Sequence, residues 1–125
     1  MMLMECFDAM GGDYDSVRQR IPKDEMIERF LKKFLADPCF DDLNRSLQEA
    51  NFPEAFRAAH SLKGVCYNLG LTRLGDAASV LTELLREKDT EKIDPAQCEE
   101  LFQKVAEDYQ VVTDSIKQLD SWVEI

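Results

Sequence analysis

The chain has 125 residues, of which 25 are Asp or Glu and 15 are Lys or Arg, so its formal net charge is −10. A single domain of this length can bury about two-thirds of the surface of its unfolded chain. No extended basic stripe is present to neutralise phosphates, so we expect no binding to nucleic acid. No apolar run approaches the length of a membrane span, and the acidic N-terminus lacks the basic segment of a secretory signal. We therefore expect a cytoplasmic protein that does not bind a membrane.

The cysteines are scattered, form no CxxC pair and accompany a single histidine, so a zinc site of the CxxC/HxxxH type is excluded and no metal is expected. We interpret them as small apolar residues of a reduced protein: Cys6, Cys39, Cys66 and Cys98. The sequence also lacks a Gly-rich phosphate loop, and it is too short for a kinase catalytic domain beside a helical bundle. We expect no cofactor.

Long segments of helical periodicity, without β-branched runs, predict an all-α fold. Two short helices are predicted over residues 2–10 and 13–20, separated by Gly11-Gly12 and with Asp13 as an N-cap. They are expected to pack over one end of a bundle. A frayed terminal arm is an equal alternative for the first residues.

Longer helices are predicted after residue 20. Pro22 opens one that ends near Leu35. Asp37-Pro38, as N-cap and first helical residue, opens a second that runs to about Ala50. It is expected to bury Leu43, Leu47 and either Cys39 or Phe40.

The remaining helices have equally clear start signals. Asn51 and Glu54 resemble a capping box, and the helix that they start ends at Gly70 as a C′ residue. Another helix covers residues 71–86. After a charged turn, Asp94-Pro95, with Gln97 as a capping partner, begins a last helix that reaches about Trp122, which we expect to plug the core.

Short connections favour antiparallel neighbours. We therefore predict an antiparallel, up-down-up-down four-helix bundle, with the helix from Pro22 packed against it. Its four helices are those over 39–50, 52–69, 71–86 and 95–122. We expect one domain over 1–125, with the short helices at about 1–20 and the bundle at about 22–122. Because one bundle can use all the apolar stripes, we expect a monomer.

The segment around the single histidine has a distinctive pattern. His60, Lys63, Gly64 and Tyr67 are spaced i, i+3, i+4 and i+7, so they share a stripe beside the apolar face of their helix. A glycine inside a helix costs about 1 kcal/mol relative to alanine. Its presence one turn after His60 indicates that something must approach the imidazole ring.

The charges in this segment favour the same interpretation. No Asp or Glu lies between Ala55 and Gly75, whereas Arg57, Lys63 and Arg73 do. A locally basic surface around an imidazole suits a group that receives negative charge. The alternative is a helix that lacks acidic residues because it is buried.

His60-Ser61-Leu62-Lys63-Gly64, followed six residues later by Gly70, resembles the signature of the histidine-containing phosphotransfer (HPt) domains of two-component and phosphorelay signalling, over residues from about 20 to 122. The resemblance implies a phosphocarrier rather than an enzyme with its own kinase domain. His60 would accept a phosphoryl group from the aspartyl phosphate of a receiver domain, in a response regulator or a hybrid histidine kinase, and pass it to another receiver.

The residue types suit this chemistry. A neutral imidazole is a good nucleophile near pH 7, and phosphoryl transfer needs mainly in-line positioning and charge neutralisation. We expect one ring nitrogen of His60, Nε2, to attack, Lys63 to hold the phosphoryl oxygens with help from Arg57, and Gly64 to admit the partner.

Residues about ten positions after Gly70 are expected to lie opposite His60, near Ser79, Thr82 and Glu83. Histidine kinases of the chemotaxis type place a glutamate against the phosphorylated histidine. The matching position here is Thr82, with Glu83 beside it, which favours a plain acceptor and donor over a strongly basic histidine. Tyr67 either docks the partner or packs at the edge of the bundle.

The rival hypothesis is a helical module that keeps the HPt scaffold and binds signalling partners without accepting phosphate. Lys63 and Gly64 favour the active carrier. A module that had abandoned transfer could replace both residues at little cost, so their presence indicates that transfer is retained. A hydrolytic enzyme is disfavoured, since no second catalytic pairing accompanies His60.

Overall fold

A computed structural model describes residues 1–119 of the chain. Within that range it contains seven α-helices, one short 3₁₀ helix and no strand, which confirms the all-α prediction. The helices are α1 (Leu3–Met10), α2 (Tyr14–Arg20), α3 (Asp24–Phe34), α4 (Cys39–Gln48), α5 (Phe52–Asn68), α6 (Thr72–Leu85) and α7 (Pro95–Lys117), with the 3₁₀ helix at Thr90–Lys92. None of the helices in this range is long and apolar enough to cross a membrane.

Helices α4 to α7 form the predicted bundle. Each packs against the next along the chain, and α3 contacts α7. The bundle closes between its first and last helices, where the ring of Phe40 stacks on those of Phe102 and Tyr109 with centroids 5.7 and 4.0 Å apart. One continuous hydrophobic core includes residues from α1 through Leu119.

Most helix starts follow the predicted caps. The side chains of Asp13, Asn51 and Asp94 accept hydrogen bonds from the backbone N–H groups of Ser16, Glu54 and Ala96, at 3.0, 3.3 and 3.0 Å. Gly70 follows α5 with a φ of +69°, the left-handed conformation of a C′ residue. These predictions succeed because a cap depends on residues close together in sequence.

Two helices begin later than predicted. α3 starts at Asp24 rather than Pro22, because Ile21 before the proline and Lys23 after it have extended backbones. α4 starts at Cys39, so Pro38 is the N-cap residue rather than the first helical one. The Asp37 carboxylate still caps this helix, because it accepts the Cys39 N–H at 2.9 Å.

The last helix also ends earlier than predicted. α7 stops at Lys117, where two N–H groups form the tighter bonds of a 3₁₀ turn, from Gln118 to Ser115 and from Leu119 to Ile116, each at 3.1 Å. The predicted continuation to Trp122, and the role of Trp122 as a core plug, fall in residues 120–125, outside the described range.

The N-terminal helices pack over the end of the bundle that carries the turn between α5 and α6. α1 contacts α7 and buries Leu3, Cys6, Phe7 and Met10. Two backbone hydrogen bonds join this segment to the turn, from Asp13 N–H to the Gly70 carbonyl at 2.8 Å and from Arg73 N–H to the Gly11 carbonyl at 3.2 Å. The frayed-arm alternative is therefore wrong, whereas the single domain over 1–125 stays a prediction.

All four cysteines are free thiols. Burial raises the pKa of the Cys6 thiol to about 11 and, with the nearby Asp37 carboxylate, that of Cys39 to about 12. It also raises the pKa of Cys66 and Cys98. The thiols are thus protonated, weakly nucleophilic groups of the folded protein.

Candidate functional site

α5 divides its residues between the core and an exposed stripe. Ala55, Ala59, Leu62 and Cys66 are fully buried against the neighbouring helices. His60, Ser61 and Gly64 lie on the exposed side. Burial of the apolar stripe therefore fixes the rotation of α5, and that rotation directs His60 to the surface.

The imidazole of His60 has one close neighbour on its own helix. The Phe56 ring, one turn earlier, lies 5.9 Å from it between centroids, at an interplanar angle of 39°. Within residues 1–119, neither ring nitrogen of His60 has a hydrogen-bond partner in the protein. Both nitrogens are therefore free to meet an external group.

Gly64 leaves open space one turn after His60. A Cβ atom built on it would meet no atom within 4 Å. At Gly75 a Cβ would lie 2.6 Å from the Tyr67 ring, so that glycine is explained by internal packing. No contact within residues 1–119 requires Gly64 to be a glycine, although glycine costs about 1 kcal/mol in a helix.

The two cations predicted on α5 differ in their pairing. Arg57 forms an ion pair with Glu54, with Nη1 and Oε1 2.6 Å apart and both side chains largely exposed. Such an exposed pair is worth about 0.5 kcal/mol, so a stronger anion can displace it. Lys63 is half-buried, and its charge acts on Glu83 across the helix interface.

Glu83 and Arg86 bring a second pair of charges to this surface from α6. Arg86 Nε and Nη2 lie 3.0 and 2.9 Å from the two carboxylate oxygens of Glu83. The hydrogen bonds from Arg86, and then the charges of Arg86, Lys63 and His60, lower the pKa of Glu83. The surface around His60 thus contains an acid, although the sequence around it does not.

Arg86 is a site residue that the sequence analysis missed. Its guanidinium lies over the Phe56 ring, 5.1 Å from the centroid. Arg86 and the His60 imidazole therefore both lie near the Phe56 ring. The available sequence signal was the spacing of Glu83 and Arg86, i and i+3, which places an acid and a base together on one helix face.

Thr82 is not brought to the imidazole. Its side chain is fully buried in α6, and its hydroxyl donates to the Ala78 carbonyl at 2.6 Å. The residue that faces the site from this part of α6 is its neighbour Glu83.

Tyr67 has clear packing contacts. Its ring lies against Gly75, and its hydroxyl donates to the Asp76 carboxylate at 2.7 Å. That hydrogen bond raises the pKa of the phenol. The ring remains 38% exposed, and its role in docking stays a prediction.

A groove of about 400 Å³ opens beside the site, between the start of α5 and the end of α6. Its walls include the apolar side chains of Phe52, Phe56 and Leu85 and the cations Arg57, Arg86 and Lys88. Among residues 1–119, no three His, Cys, Asp or Glu side chains are grouped so that they could hold a metal ion. The surface therefore combines an exposed imidazole, several cations and an apolar recess.

Comparison with known proteins gives one finding. A family model described as "Hpt domain" matches residues 25–122, well over half of the chain, from the first turn of α3 onward. Neither the search of curated proteins nor that of solved structures gives a significant match.

Proposed function

The chain belongs to the Hpt domain family, whose members are phosphocarriers that interact with receiver domains in phosphorelays, and we propose that His60 is the residue on which it carries the phosphoryl group. The observation that supports this most is the exposed imidazole with two unbonded nitrogens beside the open space at Gly64. A histidine whose attacking nitrogen is buried or hydrogen-bonded could not be approached in line by a phosphate donor.

The transfer step follows from this geometry. The Nε2 lone pair of neutral His60 attacks the phosphorus of an aspartyl phosphate on a receiver domain. The new N–P bond forms as the P–O bond to the aspartate breaks. The electron pair of the broken P–O bond goes to the aspartate oxygen, which restores the carboxylate. The imidazole keeps its Nδ1 proton, so the phosphorylated ring is an imidazolium. A second receiver aspartate takes the group by the reverse step.

The surrounding side chains provide charge and access. Lys63 neutralises the phosphoryl oxygens as a point charge, and Arg57 can leave its exposed pair with Glu54 to assist. Gly64 lets the receiver approach within bonding distance. The Thr82 hydroxyl is bonded to the Ala78 carbonyl and the Glu83 carboxylate accepts from Arg86 rather than from the ring, which favours a plain acceptor and donor over a strongly basic histidine.

The rival function is a module that binds receivers without accepting phosphate. The mid-helix glycine, which the fold does not need, argues against it. A binding module would retain no reason to keep a helix-destabilising residue beside an exposed imidazole.

The test is incubation with a receiver domain phosphorylated on its aspartate, followed by intact mass at neutral and acidic pH. We expect one added phosphoryl group that is lost in acid. His60→Gln should take up none, whereas Ser61→Ala, at the neighbouring exposed hydroxyl, should behave like the native protein. Binding of several receivers without any transfer would instead establish the silent module.

A further inference from the structure

We propose that Glu83 limits how tightly His60 holds its phosphoryl group, so that the carrier is set to release phosphate rather than store it. This inference rests on the proposed function of His60. It assigns to α6 a charge pair, Glu83 with Arg86, that tunes the stability of the phosphohistidine.

The contacts place this pair at the site. Arg86 reaches both oxygens of Glu83, at 2.9 and 3.0 Å, and its guanidinium lies 5.1 Å from the centre of the Phe56 ring. The other ring neighbour of Phe56 is the His60 imidazole, with centroids 5.9 Å apart. His60 also interacts electrostatically with Glu83, so any charge added on the imidazole is added near the Glu83–Arg86 pair.

The charges then decide the effect. A phosphoryl group adds about −1.5 to −2 charges at neutral pH. Before phosphorylation, the Glu83 carboxylate faces the cations Lys63 and Arg86 and the His60 imidazole. A new anion would be repelled by Glu83 and would compete with it for Lys63 and Arg86.

Glu83 withholds a cation as well as adding repulsion. Its two contacts hold Arg86 in a bidentate geometry, which the phosphoryl oxygens must break to recruit the guanidinium. The side chains of Arg86 and Glu83 are 52% and 58% exposed, so solvent screens the interaction. An effect of about fivefold on an equilibrium constant is in the range for two charges that interact near a protein surface.

The proposal predicts opposite signs for the two members of the pair. Glu83→Gln should raise the equilibrium constant for phosphorylation of His60 about fivefold, because repulsion is removed and Arg86 is released. Arg86→Gln should lower this constant by about the same factor, because it removes a cation that offsets the repulsion from Glu83. The double variant restores the net charge and should lie close to the native protein.

Two measurements test this. The first is the partition of phosphate at equilibrium between His60 and a receiver aspartate. The second is the extent of His60 phosphorylation at fixed concentrations of phosphoramidate and ammonia. In this reaction the phosphoryl group moves from the nitrogen of phosphoramidate to the ring nitrogen of His60, and ammonia is released. The matched control is Glu107→Gln, which removes the same charge from an exposed position on α7. High salt should shrink the effect of Glu83→Gln and leave that of the control unchanged.

The outcomes separate this inference from the proposed function. Opposite shifts in the two single variants, with the double variant near native, support the inference. Shifts of the same sign, or Glu83→Gln within twofold of native in both measurements, overturn it. If receivers fail to donate but phosphoramidate phosphorylates His60, receiver transfer is wrong and Glu83 is still judged by the second measurement. If neither donor phosphorylates His60, both proposals fail.

Discussion

The middle of α5 and its C-terminal end are treated differently by the rest of the protein. Around His60 and Gly64 the outward face is open, with no hydrogen bond to the ring within residues 1–119 and no atom near the position of a Gly64 side chain. At the C-terminal end the carbonyls of Tyr67 and Asn68 each accept from Arg20 Nη2 at 3.0 Å, and the Gly70 carbonyl accepts from Asp13.

This difference indicates how a small bundle can present the proposed nucleophile, His60, without enclosing it. The last carbonyls of a helix lack partners within the helix and carry partial negative charge, so a guanidinium there is doubly favourable. Contacts from α2 and α6 hold one end of α5, so the ring two turns away needs none to be held in place. Substitutions in these two regions should therefore have opposite kinds of effect.

The largest expected effect is at the anchored end. Gly70→Ala places a Cβ on a residue with a φ of +69°, against the Val17 side chain and 2.8 Å from the Asp13 carbonyl oxygen. We expect a loss of about 3 kcal/mol in the free energy of unfolding, measured by urea titration. A loss no larger than that of an average surface substitution would show that this end is not anchored as described.

The next effect is at the open middle of α5 and is kinetic. Lys63→Ala should slow phosphoryl transfer from a phosphorylated receiver about tenfold, because the positive charge that neutralises the phosphoryl oxygens is lost. The unfolding free energy should change by less than about 1 kcal/mol. Lys117→Ala, at the end of α7, removes the same charge and should leave the rate unchanged. Equal slowing in both variants would mean that only net charge matters.

Gly64→Ala sharpens the comparison further, because stability and function should move in opposite directions. The added methyl enters open space on a helix, so stability should rise by about 1 kcal/mol in the same urea titration. Transfer should slow, since the methyl group projects from the surface on which we propose that the receiver docks. A protein that is destabilised by this change would contain a contact at Gly64 that the open surface does not have.

The smallest effect is expected at Thr82. Its hydroxyl bonds within its own helix, so Thr82→Val should leave the transfer rate within twofold of native. Stability should change by about 1 kcal/mol or less, as for one hydrogen bond. A tenfold slower transfer would place the hydroxyl in the site after all. Stopped-flow or quenched transfer assays with one receiver measure this directly.

Local signals account for what the sequence predicted well. The caps at Asp13, Asn51 and Asp94 and the turn at Gly70 depend on residues within one helical turn. The stripe from His60 to Gly64 is likewise fixed by helical spacing and burial, since Ala59 and Leu62 must face inward. Where periodicity and capping act together, the sequence was a sufficient guide.

Contacts between helices account for the features that the sequence did not predict. The late start of α3 accompanies the contacts of Asp24 with Tyr14 and Arg18, at 2.6 and 2.8 Å, which join α2 to α3. The position of Arg86 over Phe56 depends on the rotation of α6 relative to α5. A shift of one position around α6 turned Thr82 into the core and Glu83 toward the site. Neither capping signals nor periodicity fixes such rotations to one residue.

The buried thiols make local unfolding of the protein measurable, because their rate of alkylation depends on how often they become exposed. A thiol whose pKa is raised to about 11, as at Cys6 in α1, hardly reacts with an alkylating agent at neutral pH until its helix detaches. Cys66 lies inside α5 and reports opening of the bundle in the same way. If Cys6 is labelled well before Cys66, the N-terminal helices undock as a separate unit. If both are labelled at one rate, those helices and the phosphocarrier bundle open as a single cooperative structure.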